Sequence, residues 1–145
     1  MNKIKLVLVL ILCLGILPVH AQNKNNLPKR EFRGAWIHII NNQFLGKSNE
    51  EVKRSLIAQL DALQEANINA VIFQVRAEGD AFYKSKYEPW SRYLTGVQGL
   101  APVDNFDPLE FMVTETHKRG MELHAWINPY RAVMNIGKPI SPDHY

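Results

Sequence analysis

Three short runs rich in β-branched and aromatic residues, at 33–40, 69–76 and 121–127, alternate with two segments whose apolar residues recur at helical spacing. That alternation constrains the fold more than any other feature, because strands joined through helices pair in parallel with right-handed crossovers. The first run shows no obvious solvent face and the second is nearly continuous, which predicts strands covered on both sides. Between them, Ser48-Asn49-Glu50-Glu51 forms a capping box, in which hydroxyl and carboxylate satisfy free amides at a helix start. Val52, Leu56, Leu60 and Leu63 follow as one stripe of an amphipathic helix that runs to about Ala66 and stops at Asn67. A second helix opens at Asp107-Pro108-Leu109-Glu110, carries Leu109, Met112, Val113 and Thr116 on its less polar side, and ends at Gly120. The predicted order is β-α-β-(long loop)-α-β, which suits a doubly wound sheet or a (β/α)₈ barrel about equally. Asn41-Asn42-Gln43-Phe44 stands where a dinucleotide fold carries its Gly-rich turn, which lowers that reading.

The first 21 residues read as a secretory leader. Lys3 and Lys5 form a basic start, Leu6 to Leu17 is almost wholly apolar, and Val19 and Ala21 occupy the −3 and −1 positions of a cleavage site. The apolar run, about 12 residues, is shorter than the ~20 of a spanning helix. Lipidation at Cys13 ranks behind ordinary cleavage, since Leu-Ile-Leu before it lacks the small residues of a lipobox. Loss of Lys3 and Lys5 lowers the basic count from 17 to 15 against 14 acidic residues, so the net charge falls from +3 to +1. That balance argues for no nucleic-acid partner. Cys13 is the only cysteine, so the mature chain has no disulfide, thiolate ligand or thiol nucleophile.

Alternation sorts each strand into two faces. Val71, Phe73 and Val75 oppose Ile72, Gln74 and Arg76; Leu123, Ala125 and Ile127 oppose His124, Trp126 and Asn128; Ala35, Ile37 and Ile39 oppose Trp36 and His38. One face of each strand is plainly apolar and suits helices. The other gathers large polar or aromatic groups toward its C-terminal end, where a purely structural interior favours Val, Ile and Leu. Burying Arg76 without partners is costly, so the pattern points to a polar ligand site. Plainer readings stand beside it: Trp36 and Trp126 as core fillers, His38 and His124 as satisfied core histidines, and Arg76 held by Glu78, Asp80 or another group. The H-x-H and H-E-x-x-H spacings of metal sites are absent, so neither metal nor cofactor is expected.

The loop at 77–106 far exceeds the usual 2–6 residues of a βα connection. It holds Phe82, Tyr83, Tyr87, Trp90 and Tyr93, too aromatic for disorder. Such rings stack on the C–H faces of sugars, or they pack a small core beneath the sheet's rim; different rings can do each.

Several ordered blocks follow the pattern of a known family. They are Arg33-Gly34-Ala35-Trp36, then Phe73-Gln74-Val75-Arg76-Ala77-Glu78-Gly79-Asp80-Ala81-Phe82-Tyr83, Glu88-Pro89-Trp90-Ser91 and Leu94-Thr95-Gly96. Asp107-Pro108-Leu109, His117-Lys118-Arg119-Gly120 and His124-Ala125-Trp126-Ile127-Asn128-Pro129-Tyr130-Arg131 complete them. Across residues 31–131 the chain resembles the glycosyl hydrolase-like 10 family of bacterial exported proteins. The resemblance implies an α/β fold, a glycosidase-type (β/α)₈ TIM barrel of which this chain holds the first three βα units. It implies action on an envelope or extracellular polysaccharide, peptidoglycan glycan among the candidates. It places Gln74, Arg76, Asp80, Trp126, Asn128 and Arg131 on site-forming positions, and Trp36, Trp90 and His124 join them as candidates for substrate binding. Glycoside hydrolysis ordinarily needs two carboxyl groups, which related barrels draw from later strands. The catalytic pair is therefore expected beyond Tyr145, and Glu78 and Asp80 are not assigned to it.

The expectation is thus a leader at 1–21, a flexible lead-in at 22–30, and the N-terminal part of a barrel at 31–145. Such a fragment, periplasmic or extracellular, carries substrate-binding rather than catalytic groups and is catalytically silent and marginally folded alone. Its expected partner is a polysaccharide or oligosaccharide, with no membrane contact beyond the leader or a lipid anchor. The alternatives are a non-catalytic carbohydrate-binding remnant and an inactive pseudogene product. A metal-dependent hydrolase ranks last.

Overall fold

In a computed structural model, residues 31–144 form β1 (Gly34–Ile37), α1 (Asn49–Glu65), β2 (Ala70–Arg76), α2 (Arg92–Thr95), a 3-10 turn (Val103–Asn105), α3 (Pro108–Lys118) and β3 (Glu122–Ile127). The expected leader with Cys13, the lead-in and Tyr145 lie outside the described residues. The three strands pair in parallel in the order β1-β2-β3.

Local chemistry starts and stops the helices. At α1 the Glu51 amide donates to the Ser48 hydroxyl (3.3 Å) and the Ser48 amide to the Glu51 carboxylate (2.8 Å). Those bonds from Ser48 hold the Glu51 carboxyl below the usual carboxylate range. Asn67 closes the helix in the left-handed region at φ 58°. At α3 the Asp107 carboxylate accepts from the Leu109 and Glu110 amides (2.9 and 3.1 Å), with Pro108 placed where its missing N–H costs nothing. Val52, Leu56, Leu60, Met112 and the strand residues Val71, Phe73 and Val75 then form one buried cluster. Arg119 links the two helices, meeting Asp61 (2.6 Å) and Glu115 (2.8 Å). Such partly exposed pairs contribute little beside that burial.

Three features depart from the reading of the sequence. The strand expected at 33–40 pairs only as far as Ile37, because past that point a side chain replaces the backbone ladder: the Ile39 amide donates to Gln74 Oε1 (3.1 Å). The sheet is not covered on both faces. The helix side of β2 is buried, but Trp36 is 65% exposed and β3 is half-buried or exposed along its whole length. Finally, the β2–β3 register breaks after Gln74. Gln74 pairs with Trp126, but Arg76 pairs with Ile127 rather than with Asn128. An inserted residue of this kind interrupts the strict alternation of faces, so the period-two reading does not carry past Gln74.

The long loop is ordered, as its aromatic content led one to expect, and it also holds two short helical elements that the sequence did not show. α2, capped by the Ser91 hydroxyl, and the 3-10 turn are too short to show periodicity. Truncating Leu56 to Ala should cost ~2–5 kcal/mol and Ser48 to Ala ~1 kcal/mol, read as shifts of the urea midpoint. A smaller loss from Leu56→Ala than from Ser48→Ala would contradict the packing described.

Candidate functional site at the carboxyl ends of the strands

The register lines up Trp36, Ile72 and His124 in one row and sets Gln74 beside Trp126. On this open face the Trp36 and Trp126 rings meet edge to face, centroids 4.9 Å apart and planes at 89°. The Trp126 indole N–H donates to Asn128 Oδ1 (3.0 Å), and Asn128 Nδ2 donates to the Ala77 carbonyl (3.1 Å). One amide therefore joins the indole to the first residue of the long loop. His124 is exposed, 3.1 Å from the Glu122 carboxylate and edge-on to Phe32. Neither Trp36 nor His124 is a core residue, whereas Trp126 is half-buried. Arg131 is exposed and borders an open groove with Asn128 and Tyr130.

The other expected site residues lie elsewhere. Gln74, 1% exposed, is occupied by the Ile39 amide. Arg76 pairs with Glu88 (3.2 Å) in the long loop, not with Glu78 or Asp80. Trp90 is half-buried against the core, where the loop makes an isolated bridge between Ala81 and Trp90. The loop's rings mostly pack: Phe82 is fully buried between Phe44 and Phe73, Tyr83 and Tyr93 lie half-buried against the core, and Tyr87 alone of the five stands 78% exposed.

Just past β2, two buried carboxylates organise the loop. Glu78 pairs with Arg92 (2.8 Å) and accepts from the Met134 amide (2.6 Å). Asp80 accepts from Gln98 Nε2 (3.2 Å) and the Arg92 amide (3.3 Å). Burial, reinforced by Glu78 and opposed by the Gln98 bond, pushes the Asp80 carboxyl above its ordinary value. Gln98 Oε1 in turn accepts from the Ser141 amide (2.9 Å), and the Gly79 amide donates to Ala132 O (2.9 Å). The segment after β3 is thereby tied to the loop after β2. Arg92 and Gln98 were not foreseen. The available signal was two carboxylates close to a strand end, but their partners are far off in sequence.

Trp36, His124, Trp126, Asn128 and Arg131 thus stand on or beside one accessible surface, while Gln74, Arg76, Asp80 and Trp90 belong to its framework. Among the described residues no group of three or more His, Cys, Asp or Glu side chains gathers for a metal ion. Rings with accessible edges and faces, an amide and a guanidinium can hold a hydroxyl-rich ligand, and Glu78 and Asp80 are engaged in structural bonds.

A parallel three-stranded sheet packed on helices defines an α/β protein. The profile of the family glycosyl hydrolase-like 10 matches residues 31–140, and the chain belongs to that family. Glycosyl hydrolase YngK of Bacillus subtilis is 51% identical over 122 residues, which span 79% of this chain and 23% of that protein. Glycosyl hydrolase DigH of Escherichia coli K12 is 49% identical over 83 residues, 57% of this chain and 18% of that protein. The chain spans less than a quarter of the length of these curated relatives.

Two outcomes follow from this geometry. Asn128→Ala releases the Trp126 indole, so the exciton couplet of the two tryptophans in far-ultraviolet circular dichroism should collapse, as it should in Trp36→Phe. An unchanged couplet in Asn128→Ala would show that the amide does not set the ring. Because the native pKa of Asp80 is raised, the folded state binds more proton than the unfolded one from pH 3.8 up to the raised value. Its contribution is complete below that window and is lost as pH rises through it. The stability of Asp80→Asn relative to the parent should therefore rise across that window, measured as the difference in urea midpoints, and a flat difference would refute the assignment.

Proposed function

We propose that this chain is the N-terminal part of a (β/α)₈ glycosidase-type barrel, belonging to an exported glycoside hydrolase-like protein that acts on a bacterial envelope or extracellular polysaccharide. The observation that carries this reading is the orthogonal Trp36–Trp126 pair, open on the carboxyl-end side of a parallel sheet and steadied by Asn128. In such barrels one strand face points inward and active sites occupy the carboxyl ends of the strands. Membership of a glycosyl hydrolase-like family and relatives named glycosyl hydrolases support the reaction class.

On this reading residues 1–21 are a secretory leader, 22–30 a lead-in, and peptidoglycan glycan is one candidate substrate. Trp36 and Trp126 stack on sugar faces, His124 and Arg131 reach hydroxyls, and Asn128 positions Trp126. Gln74, Arg76, Asp80 and Trp90 hold the frame. The acid and its partner carboxylate, which must stand ~5–5.5 Å apart for retention or ~6.5–9.5 Å for inversion, come from strands beyond Tyr145.

The test pairs calorimetric titration of the chain with peptidoglycan-derived oligosaccharides and a reducing-end assay. Binding without release is expected, weakened about three- to tenfold by Trp36→Ala or Trp126→Ala. Release of reducing ends by this chain would overturn the placement of catalysis on later strands; binding indifferent to both substitutions would overturn the site.

A further inference from the structure

A second concavity lies past the carboxyl end of β1. It encloses about 290 Å³ and is bordered by Asn41 and Asn42, by Tyr93, and by Asn135 and Lys138 of the segment after β3. Its floor is the buried pair of Glu78 and Arg92, whose side chains are 2% and 9% exposed. Glu78 answers the charge of Arg92, whereas Lys138 makes no ion pair among the described residues. The pocket therefore carries one surplus positive charge. Asn41 and Asn42 sit at φ 64° and 56°, a left-handed turn that glycine adopts at least cost. Asparagine also tolerates it and brings an amide to the rim.

Drug-sized ligands occupy sites of ~300–1,000 Å³, so a cavity at the lower edge of that range suits one ring rather than an oligomer. Its chemistry is selective as well as small. The three asparagine amides pair with hydroxyls, the Tyr93 ring offers an apolar wall, and the free ammonium of Lys138 prefers an anion. We propose that this pocket is a separate subsite for a single sugar unit bearing a carboxylate. The choice of a sugar rests on the glycan-binding reading of the neighbouring sheet face; the preference for an acid rests on the pocket's own charge.

The experiment is a nuclear magnetic resonance titration of the chain with glucuronic acid, with glucose as the neutral control. Glucuronate should bind about tenfold more tightly than glucose, the worth of one charge-assisted hydrogen bond. Lys138→Gln should abolish that preference and leave glucose binding unchanged. Asn41→Gly with Asn42→Gly should weaken both sugars while keeping the turn. Trp36→Ala should weaken oligosaccharide binding and leave the preference for glucuronate over glucose in place, which separates this subsite from the sheet face. Equal affinity for the two sugars, or a preference that survives Lys138→Gln, overturns the proposal.

Discussion

Glu78 and Asp80 are buried close together just past β2, and the architecture around the strand ends depends on answering their charges. An unpaired buried carboxylate is costly, and two near each other repel. Arg92, Gln98 and the Met134 amide answer part of that demand, with Asp80 Oδ1 left without a hydrogen bond among the described residues, and in doing so they fix where the long loop and the segment after β3 must run. Breaking such a pair from one side leaves an uncompensated charge, so the network constrains geometry more than it adds stability. The same Glu78–Arg92 pair forms the floor of the pocket past β1, so one electrostatic solution shapes two neighbouring surfaces.

The sheet divides its labour by face. On the helix side, Val71, Phe73 and Val75 are sealed by α1, α3 and the loop's own Phe82. On the other side Trp36 and Trp126 have each other, and Asn128 relays the position of Ala77 to the Trp126 ring. An aromatic pair held in this way presents its edges and faces with little freedom left to lose on binding, which suits a sugar ring that offers C–H surface on one side and hydroxyls around its rim. Gln74 performs an analogous service below: its side chain ends the β1 ladder and keeps Ile39 buried without a strand.

Much of the framework was legible beforehand. The capping box at Ser48, the Asp107-Pro108 start, the stops at Asn67 and Gly120, and the apolar stripes all stand where the residue pattern puts them. The aromatic face was legible too, since period-two alternation needs only the strand itself to be right. The partner of Arg76 could not be read because Glu88 lies in the long loop, and the break after Gln74 is a property of the pairing with β3, not of β2 alone. α2 was missed because four residues leave no periodicity to read.

The sequence by itself determined the element order, the helix ends, the parallel class of the sheet and the family, because each depends on residues within a few positions of one another or on an ordered string of motifs. The tertiary structure alone decided which polar groups remain accessible. Asp80 finds its donors 12 and 18 positions away, and Glu78 meets the Met134 amide across 56. Satisfying a buried charge depends on what the fold brings within hydrogen-bond reach, and spacing along the chain does not encode that proximity.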